Sequence, residues 1–184
     1  IVKPDAFFFF YADFKTNNID IFCISETWLN HTICNSQVCP SGYIIVRKDG
    51  NIRRGGGVAI LCRNDWKMEP LPNRSNSFEC LWVEITTENS IFYVATIYHP
   101  PDHMYNPDDL VEFLVNSCEQ ALSVLPNAKI MIAGDLNRLN IRTVLNQLSL
   151  FQMVKTPTRG DNILDVLLSQ TFQIIGKGKS CKVW

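Results

Sequence analysis

A short apolar run that ends in polar residues, at positions 128–137, constrains the fold more than any other part of this chain. Ile130 to Ala133, followed by Gly134, is typical of a strand buried on both faces. Strand alternation then places Asp135 and Asn137 on the same side, where the backbone leaves the sheet. A carboxylate beside a carboxamide can handle a phosphate, because one accepts a proton from water and the other donates to an anionic oxygen. A simple turn at the end of a strand is the alternative.

The composition is that of an ordinary globular protein, and one domain is predicted over residues 1–184. Of the 184 residues, 46% are apolar and 19% are charged, and the net charge is −1. This balance argues against disorder, and nucleic acid would have to bind to a local basic patch. The seven cysteines form no CxxC pair or zinc-type spacing, which favours reduced thiols in an intracellular protein.

No membrane segment or signal peptide is predicted. The aromatic run Phe7–Phe10 belongs to only seven consecutive apolar residues, positions 6–12, whereas a membrane-spanning helix needs about 20. The first residues also lack the basic, apolar and small-residue pattern of a signal peptide.

Hydrophobic periodicity predicts an α/β sandwich, in which sheets of mainly antiparallel strands carry helices outside. Aromatic residues at helical spacing predict a helix from Pro4 to about Thr16, and an apolar stripe predicts another from Asp108 to about Leu125. Thr143–Leu148 is predicted to be a short helix. Strands are predicted at Ile19–Ser25, Tyr43–Arg47, Gly55–Cys62, Cys80–Thr86, Ile91–Tyr98, Ala128–Ala133 and Ile163–Leu168, the last being the final strand.

Three acidic residues lie at or within predicted strands. Glu26 and Asp135 each follow an apolar strand, whereas Asp165 interrupts one. A carboxylate inside such a strand is unfavourable to bury alone, so Asp165 either has a partner or faces solvent. The three glycines at 55–57 do not indicate a P-loop, because no Gly-Lys-Ser/Thr ending and no helix follow them.

Five segments, found in the family's order, carry a resemblance to a known family. They are Asp20-Ile-Phe-Cys-Ile-Ser-Glu-Thr-Trp-Leu29, Arg54-Gly-Gly-Gly-Val-Ala-Ile60, Ala95-Thr-Ile-Tyr-His-Pro-Pro101, Gly134-Asp-Leu-Asn137 and Thr158-Arg-Gly-Asp-Asn-Ile-Leu-Asp165. Through them the chain resembles the endonuclease/exonuclease/phosphatase superfamily, and more narrowly the endonuclease domain of non-LTR (LINE-type) retrotransposons. The resemblance implies a DNase I-like fold, which is an α/β sandwich of two sheets flanked by helices.

The resemblance also implies a role for each motif residue. Glu26 would bind the metal, which is expected to be Mg²⁺ or Mn²⁺. Asp135 would polarise or deprotonate the attacking water, and Asn137 would orient that water or hold a phosphoryl oxygen. Tyr98 would donate a hydrogen bond to the scissile phosphate.

Two further residues take expected roles from the same resemblance. Asp165 corresponds to a carboxylate that orients a histidine, and Thr158 falls near a position that contacts DNA phosphate. The family's first strand, which carries an Asn, is not recognised here. The family's last strand carries Ser-Asp-His; here either Ser180-Cys181-Lys182 stands in that place or the chain departs from the family before it. The tail Ile175–Trp184 contains no histidine. The domain is therefore expected to be incomplete, lacking one strand at each end, and to have impaired activity.

The implied function is Mg²⁺-dependent nicking of chromosomal DNA to prime reverse transcription. The expected partners are DNA and the reverse transcriptase module of the same element, and the expected location is the nucleus. No membrane partner is expected, and the sequence does not indicate an oligomeric state. Two alternatives stay open: an inactive remnant that at most binds nucleic acid or protein, and a phosphatase for a small phosphoester or lipid headgroup.

Overall fold

The computed structural model describes residues 19–50, 55–72 and 77–170, and the backbone of residues 181–183. These residues form three helices: α1 (Asn35–Val38), α2 (Pro107–Val124) and α3 (Arg142–Gln147). They also form ten strands: β1 (Ile21–Ser25), β2 (Tyr43–Lys48), β3 (Val58–Arg63), β4 (Lys67–Pro70), β5 (Glu79–Thr86), β6 (Ile91–Tyr98), β7 (Lys129–Asp135), β8 (Phe151–Gln152), β9 (Asp165–Ser169) and β10 (Cys181–Val183).

The strands make two sheets. The smaller sheet has the order β10-β1-β3-β2, and the larger has the order β4-β5-β6-β7-β9-β8. Strand β1 runs parallel to β10 and β6 runs parallel to β7, while the other neighbouring strands are antiparallel. This arrangement confirms the predicted α/β sandwich of two sheets.

The main core lies between the two sheets. Val58 and Ile60 of β3 pack there against Val83, Val94 and residues of β7, and all four named side chains are fully buried. Burial of each such side chain stabilises the fold by roughly 1.5–3 kcal/mol. The central strands are consequently fixed in position, and so are the polar residues at their ends.

A second core lies on the outer face of the larger sheet, where α2 packs. Leu110 and Leu114 of this helix contact the layer that contains Ala95 and Ile97 of β6. Two features of the sequence favour the start of this helix at residue 107. The Asn106 side chain caps the helix by accepting the N–H of residue 108 at 3.1 Å, and a proline occupies the first helical position.

The structure corrects several details of the predicted elements. Asp165 does not interrupt a strand but is the first residue of β9, and β9 is not the final strand, because β10 follows it. Helix α1 and the short strands β4 and β8 were not predicted. The predicted helix from Pro4 to about Thr16 lies outside the described residues.

No helix in the described part of the chain is both long and apolar enough to cross a membrane.

Candidate active site

Four polar side chains form a row across the larger sheet at one end. Each is paired with the next through the strand register: Glu79 with Tyr98, Tyr98 with Asp135, and Asp135 with Asp165. The row therefore crosses four adjacent strands, β5, β6, β7 and β9. Because paired residues in a sheet direct their side chains to the same face, these four side chains share one face.

That face is the one directed toward the smaller sheet. Tyr98 itself belongs to the core between the sheets, and so do Leu81, Ala133 and Leu167, each of which lies two positions from a member of the row. Strand alternation then fixes the direction of the whole row. The row consequently lines the edge of the gap between the sheets.

Glu26 reaches the row from the smaller sheet. It follows β1 directly, and its Oε1 accepts a hydrogen bond of 2.5 Å from the Tyr98 hydroxyl. The backbone of Glu26 has a φ of 53°, in the left-handed region that non-glycine residues rarely adopt. A residue held there is strained by about 1–3 kcal/mol, and such strain concentrates at functional sites. The carboxylate of Glu26 is therefore one point of contact between the two sheets.

Asn137 is held at the end of β7 by two hydrogen bonds, and a third joins the two residues that it contacts. Its N–H donates to Asp135 Oδ1 at 2.9 Å, and its Nδ2 donates to the His99 carbonyl at 2.7 Å. The His99 N–H in turn donates to the Asp135 carbonyl at 2.9 Å. Asn137 has a φ of 47°, which Asn tolerates better than most residues. The carboxylate and the carboxamide are thereby fixed relative to each other.

Gly134 is required by the close approach of two strands. A Cβ at this position would collide with the carbonyl oxygen of Ile97 on β6, and the φ of 137° also favours glycine. The glycine of the Gly-Asp-Leu-Asn segment therefore allows β7 to lie against β6 where the acid emerges.

Thr158 lies in the loop before β9. Its Oγ1 accepts the N–H groups of Leu164 at 3.0 Å and of Asp165 at 3.2 Å. These bonds fix the start of β9, while the exposed hydroxyl can still donate its proton outward. Within the described residues, the carboxylate of Asp165 makes no hydrogen bond to a histidine.

The carboxylates perturb one another. Burial is the main reason that the pKa of the Asp135 carboxyl lies above its ordinary value, and the negative charges of Asp165 and Glu26 raise it further. The N–H of Asn137 and the positive charge of Arg159 lower that pKa. Three neighbouring acids thus create a local negative potential that a cation would relieve.

Tyr98 is kept in its protonated form. Burial raises the pKa of its phenol, and the hydrogen bond to Glu26 and the charge of that residue raise it further. The side chain therefore remains a hydrogen-bond donor at neutral pH. His99 differs, since burial and the neighbouring His103 lower its pKa to about 4, and its ring is neutral at pH 7.

The donor set is compatible with Mg²⁺ or Mn²⁺. No group of three His, Cys, Asp or Glu side chains in the described residues has the arrangement of a complete metal cage. Mg²⁺ does not need one, because it binds through one or two carboxylates and retains several waters. Glu26, which is exposed, and Asp135 provide oxygen ligands of the required kind.

Comparison with known proteins gives matches in structure only. No family model and no curated protein matches the sequence. The endonuclease domain of TRAS1, a telomere-specific non-LTR retrotransposon, matches with a TM-score of 0.61 and 15% identity over 91% of this chain and 79% of that one. An endonuclease/exonuclease/phosphatase family protein from Bacteroides thetaiotaomicron matches with a TM-score of 0.58 and 12% identity, over 90% and 74% of the two chains. This chain has the endonuclease/exonuclease/phosphatase fold. ANGEL2, a 2′,3′-cyclic phosphatase, matches with a TM-score of 0.61 and 11% identity, over 92% and 73%.

Within this endonuclease/exonuclease/phosphatase fold, the structure brings the sequence-predicted residues together at one end of the sandwich. Tyr98, Asp135 and Asp165 belong to the row, Glu26 contacts it, and Asn137 is bonded to it. Thr158, the sixth predicted residue, is joined to the row through the N–H of residue 165. Their individual roles remain predictions.

Sequence reasoning missed Glu79, the fourth member of the row. The strand was predicted to begin at Cys80, so Glu79 was assigned to no element. The hairpin of β5 and β6 pairs Thr86 with Ile91, and the same register pairs Glu79 with Tyr98. Counting back along the predicted hairpin from its turn would have placed this acid beside the tyrosine.

The raised pKa of Asp135 predicts a pH-dependent gain in stability for Asp135→Asn. Since the folded-state pKa lies above the unfolded value of about 3.9, the charged form destabilises the fold. That loss begins near the unfolded pKa and grows as pH rises through the folded pKa. The variant should therefore melt at a higher temperature than the wild type in metal-free buffer at pH 7, with little gain at pH 3. Thermal melts that show the same shift at both pH values would contradict this explanation.

Proposed function

We propose that the protein is a divalent-metal-dependent phosphodiesterase that nicks DNA, as the endonuclease module of a non-LTR retrotransposon. The observation that carries the proposal is the convergence of carboxylates, a protonated tyrosine and a carboxamide at the rim of the two sheets. Glu26, Tyr98, Asp135 and Asn137 are joined there by direct hydrogen bonds or register pairing. Metal-assisted hydrolysis of a phosphodiester uses a base, hydrogen-bond donors and oxygen ligands for a metal, and these residues can supply all three.

Asp135 is proposed as the general base. One of its oxygens is occupied by the N–H of Asn137, which leaves the other to accept a proton from water. A raised pKa brings a carboxylate closer to the value that is optimal for proton transfer near neutral pH. The hydrogen bond from the Asn137 N–H also fixes the orientation of the Asp135 carboxylate, and with it the direction from which that group would accept the proton.

Tyr98, Asn137 and Thr158 are proposed to bind the phosphate. Tyr98 keeps its single proton, which the hydroxyl donates to Glu26 in this structure and would have to redirect to the phosphate when substrate binds, and one N–H of Asn137 remains after its bond to His99. The Thr158 hydroxyl can donate while its oxygen accepts from the backbone. These donors would stabilise the negative charge that develops on the phosphoryl oxygens during hydrolysis.

Glu26 is proposed to hold Mg²⁺ or Mn²⁺. Asp135 lies near enough for its charge to interact with that of Glu26, so its carboxylate would also attract the ion. When bound, such an ion would act as a Lewis acid on a phosphoryl oxygen. The Glu26 carboxylate is suited to this because its position is fixed by Tyr98 while the side chain is open to solvent. Asp165 is proposed to act through its charge, since it raises the pKa of the base.

The proposed partner is DNA, bound beside the site. The net charge of −1 supplies no overall electrostatic attraction to DNA, so binding would rely on local contacts such as Arg159, whose charge already influences Asp135. The reverse transcriptase module of the same element and a nuclear location belong to the same proposal.

A nicking assay on supercoiled plasmid tests the proposal. Nicked circles should accumulate with Mg²⁺ or Mn²⁺ and should not form in EDTA. A phosphate-release assay on small phosphomonoesters and inositol phosphates should run in parallel, because ANGEL2 shares the fold and is a phosphatase. Release from the small esters without nicking would assign the site to a phosphatase. Binding of metal or DNA without any turnover would indicate an inactive remnant.

A further inference from the structure

Glu79 makes a contact that links the two sheets at the active site. It lies at the start of β5 and is half-buried, and its Oε2 accepts a hydrogen bond of 2.5 Å from the N–H of Gly57, which directly precedes β3 of the smaller sheet. This bond and the Tyr98–Glu26 bond both cross from one sheet to the other at the same end of the sandwich.

The glycine turn that Glu79 contacts also holds the residues that follow Glu26. The Gly57 carbonyl accepts the Thr27 N–H at 3.1 Å, and the Gly56 carbonyl accepts the Trp28 N–H at 2.9 Å. A continuous set of hydrogen bonds therefore runs from the Glu79 carboxylate through the backbone of residues 56–57 to residues 27–28. Both Glu26 and Trp28 have a left-handed backbone, with φ values of 53° and 54°.

The carboxylate lies directly against the backbone of the turn. A Cβ added to Gly56 would collide with both carboxylate oxygens of Glu79, and Gly56 has a φ of 78°. The positive φ favours glycine at this position. The carboxylate of Glu79 therefore packs directly against the backbone that carries the Gly57 N–H.

Burial is the main reason that the pKa of the Glu79 carboxyl lies above its ordinary value, and the charge of Glu26 raises it further. The N–H of Gly57 and the charge of Lys48, whose Nζ donates to the Phe78 carbonyl at 2.9 Å, lower that pKa. The bond to Gly57 therefore compensates part of the cost of burying the carboxylate.

We infer that Glu79 is a positioning residue that holds Glu26 in its strained backbone conformation by anchoring the glycine turn at residues 55–57. The inference rests on the proposed function, because it assigns Glu79 to the support of the proposed metal ligand. Glu79 acts through the backbone and touches neither substrate nor reacting atoms.

Amide hydrogen exchange tests the anchoring without reference to activity. In metal-free protein, Glu79→Ala should speed the exchange of the Gly57, Thr27 and Trp28 amides by roughly 10- to 100-fold, as expected for loss of a hydrogen bond to a charged group. Glu84→Ala is the matched control, because it removes an acid from the outer face of the same strand and should leave these amides unchanged. A folded Glu79→Ala protein with wild-type exchange at these amides would overturn the inference.

Glu79→Gln keeps the test decisive if the Ala variant does not fold. Its amide oxygen can accept the Gly57 N–H, but a neutral acceptor binds more weakly than a charged one. Exchange at Gly57 should therefore be several-fold faster than in the wild type and slower than in any folded Ala variant. Unchanged exchange in the Gln variant would overturn the inference.

Metal dependence provides the functional test. The Mg²⁺ concentration for half-maximal nicking, and the Mg²⁺ dissociation constant from calorimetry, should rise roughly 10- to 100-fold in Glu79→Ala and less in Glu79→Gln. A slower rate at an unchanged Mg²⁺ requirement would mean that Glu79 does not act through Glu26. If the wild-type protein does not nick DNA, the proposed function fails, but the exchange and calorimetry results still decide the role of Glu79.

Discussion

Asp135→Ala should reduce the rate of plasmid nicking by roughly 10²–10⁴-fold, the contribution typical of a positioned general base. The loss has two physical sources. The variant lacks the group that accepts the proton from water, and it also lacks the acceptor that fixes the Asn137 N–H. Initial nicking rates with saturating Mg²⁺ on supercoiled plasmid would measure the effect.

Two further variants separate these sources. Asp135→Asn keeps an oxygen for the Asn137 N–H but is a far weaker base, so it should be nearly as slow as Asp135→Ala. Glu88→Ala is the control, because it removes an exposed acid at the turn between β5 and β6, at the far end of these strands. Nicking by Asp135→Asn within a few-fold of the wild type would exclude Asp135 as the base.

Glu26→Gln should weaken Mg²⁺ binding by at least roughly 10- to 100-fold, which is the loss seen when only a supporting group of a metal site is removed. The side-chain oxygen of Gln can still accept the Tyr98 hydroxyl, so the contact between the sheets is retained. The change therefore removes the charge with little effect on the fold. Isothermal titration calorimetry with Mg²⁺ and with Mn²⁺ would measure the change.

The control for this variant is Glu69→Gln. Glu69 is an exposed acid on β4 that pairs with Lys67 at 3.0 Å, and it lies level with Glu84, five positions along β5 from the row. Its substitution should leave Mg²⁺ binding unchanged. If Glu26→Gln binds Mg²⁺ as tightly as the wild-type protein, the metal ligand must be sought among the other acids of the row.

The central strands of the fold could be predicted because their sequences are apolar over their whole length. Strand β6 was predicted with its observed ends, and β7 was predicted to end two residues early. Since β6 and β7 are parallel neighbours, their carboxyl ends lie together, and Tyr98 is therefore level with Asp135. This part of the candidate site follows from local sequence and the geometry of a sheet.

The remaining features depend on contacts that the sequence does not reveal. The predicted strand began too early because Ile163 and Leu164 are apolar. In the structure the Leu164 N–H donates to the Thr158 hydroxyl and the Leu164 carbonyl accepts the Leu136 N–H, so β9 begins only at Asp165. Strand β10 pairs with β1 from the other end of the chain. The contact of Glu79 with Gly57 joins the two sheets, so predicting it would require the strand register of each sheet.

Because the proposed metal ligand and the proposed phosphate donors belong to different sheets, the distance between them is set by the volume of the side chains packed in between. The apolar layer of Val58, Ile60, Val83 and Val94 therefore acts as a spacer for the catalytic groups as well as a source of stability. Exchanges that preserve volume in this layer should be well tolerated. Exchanges that alter its thickness should reduce the catalytic rate even where the protein remains folded, because displacements of about 1 Å are enough to misalign reacting groups.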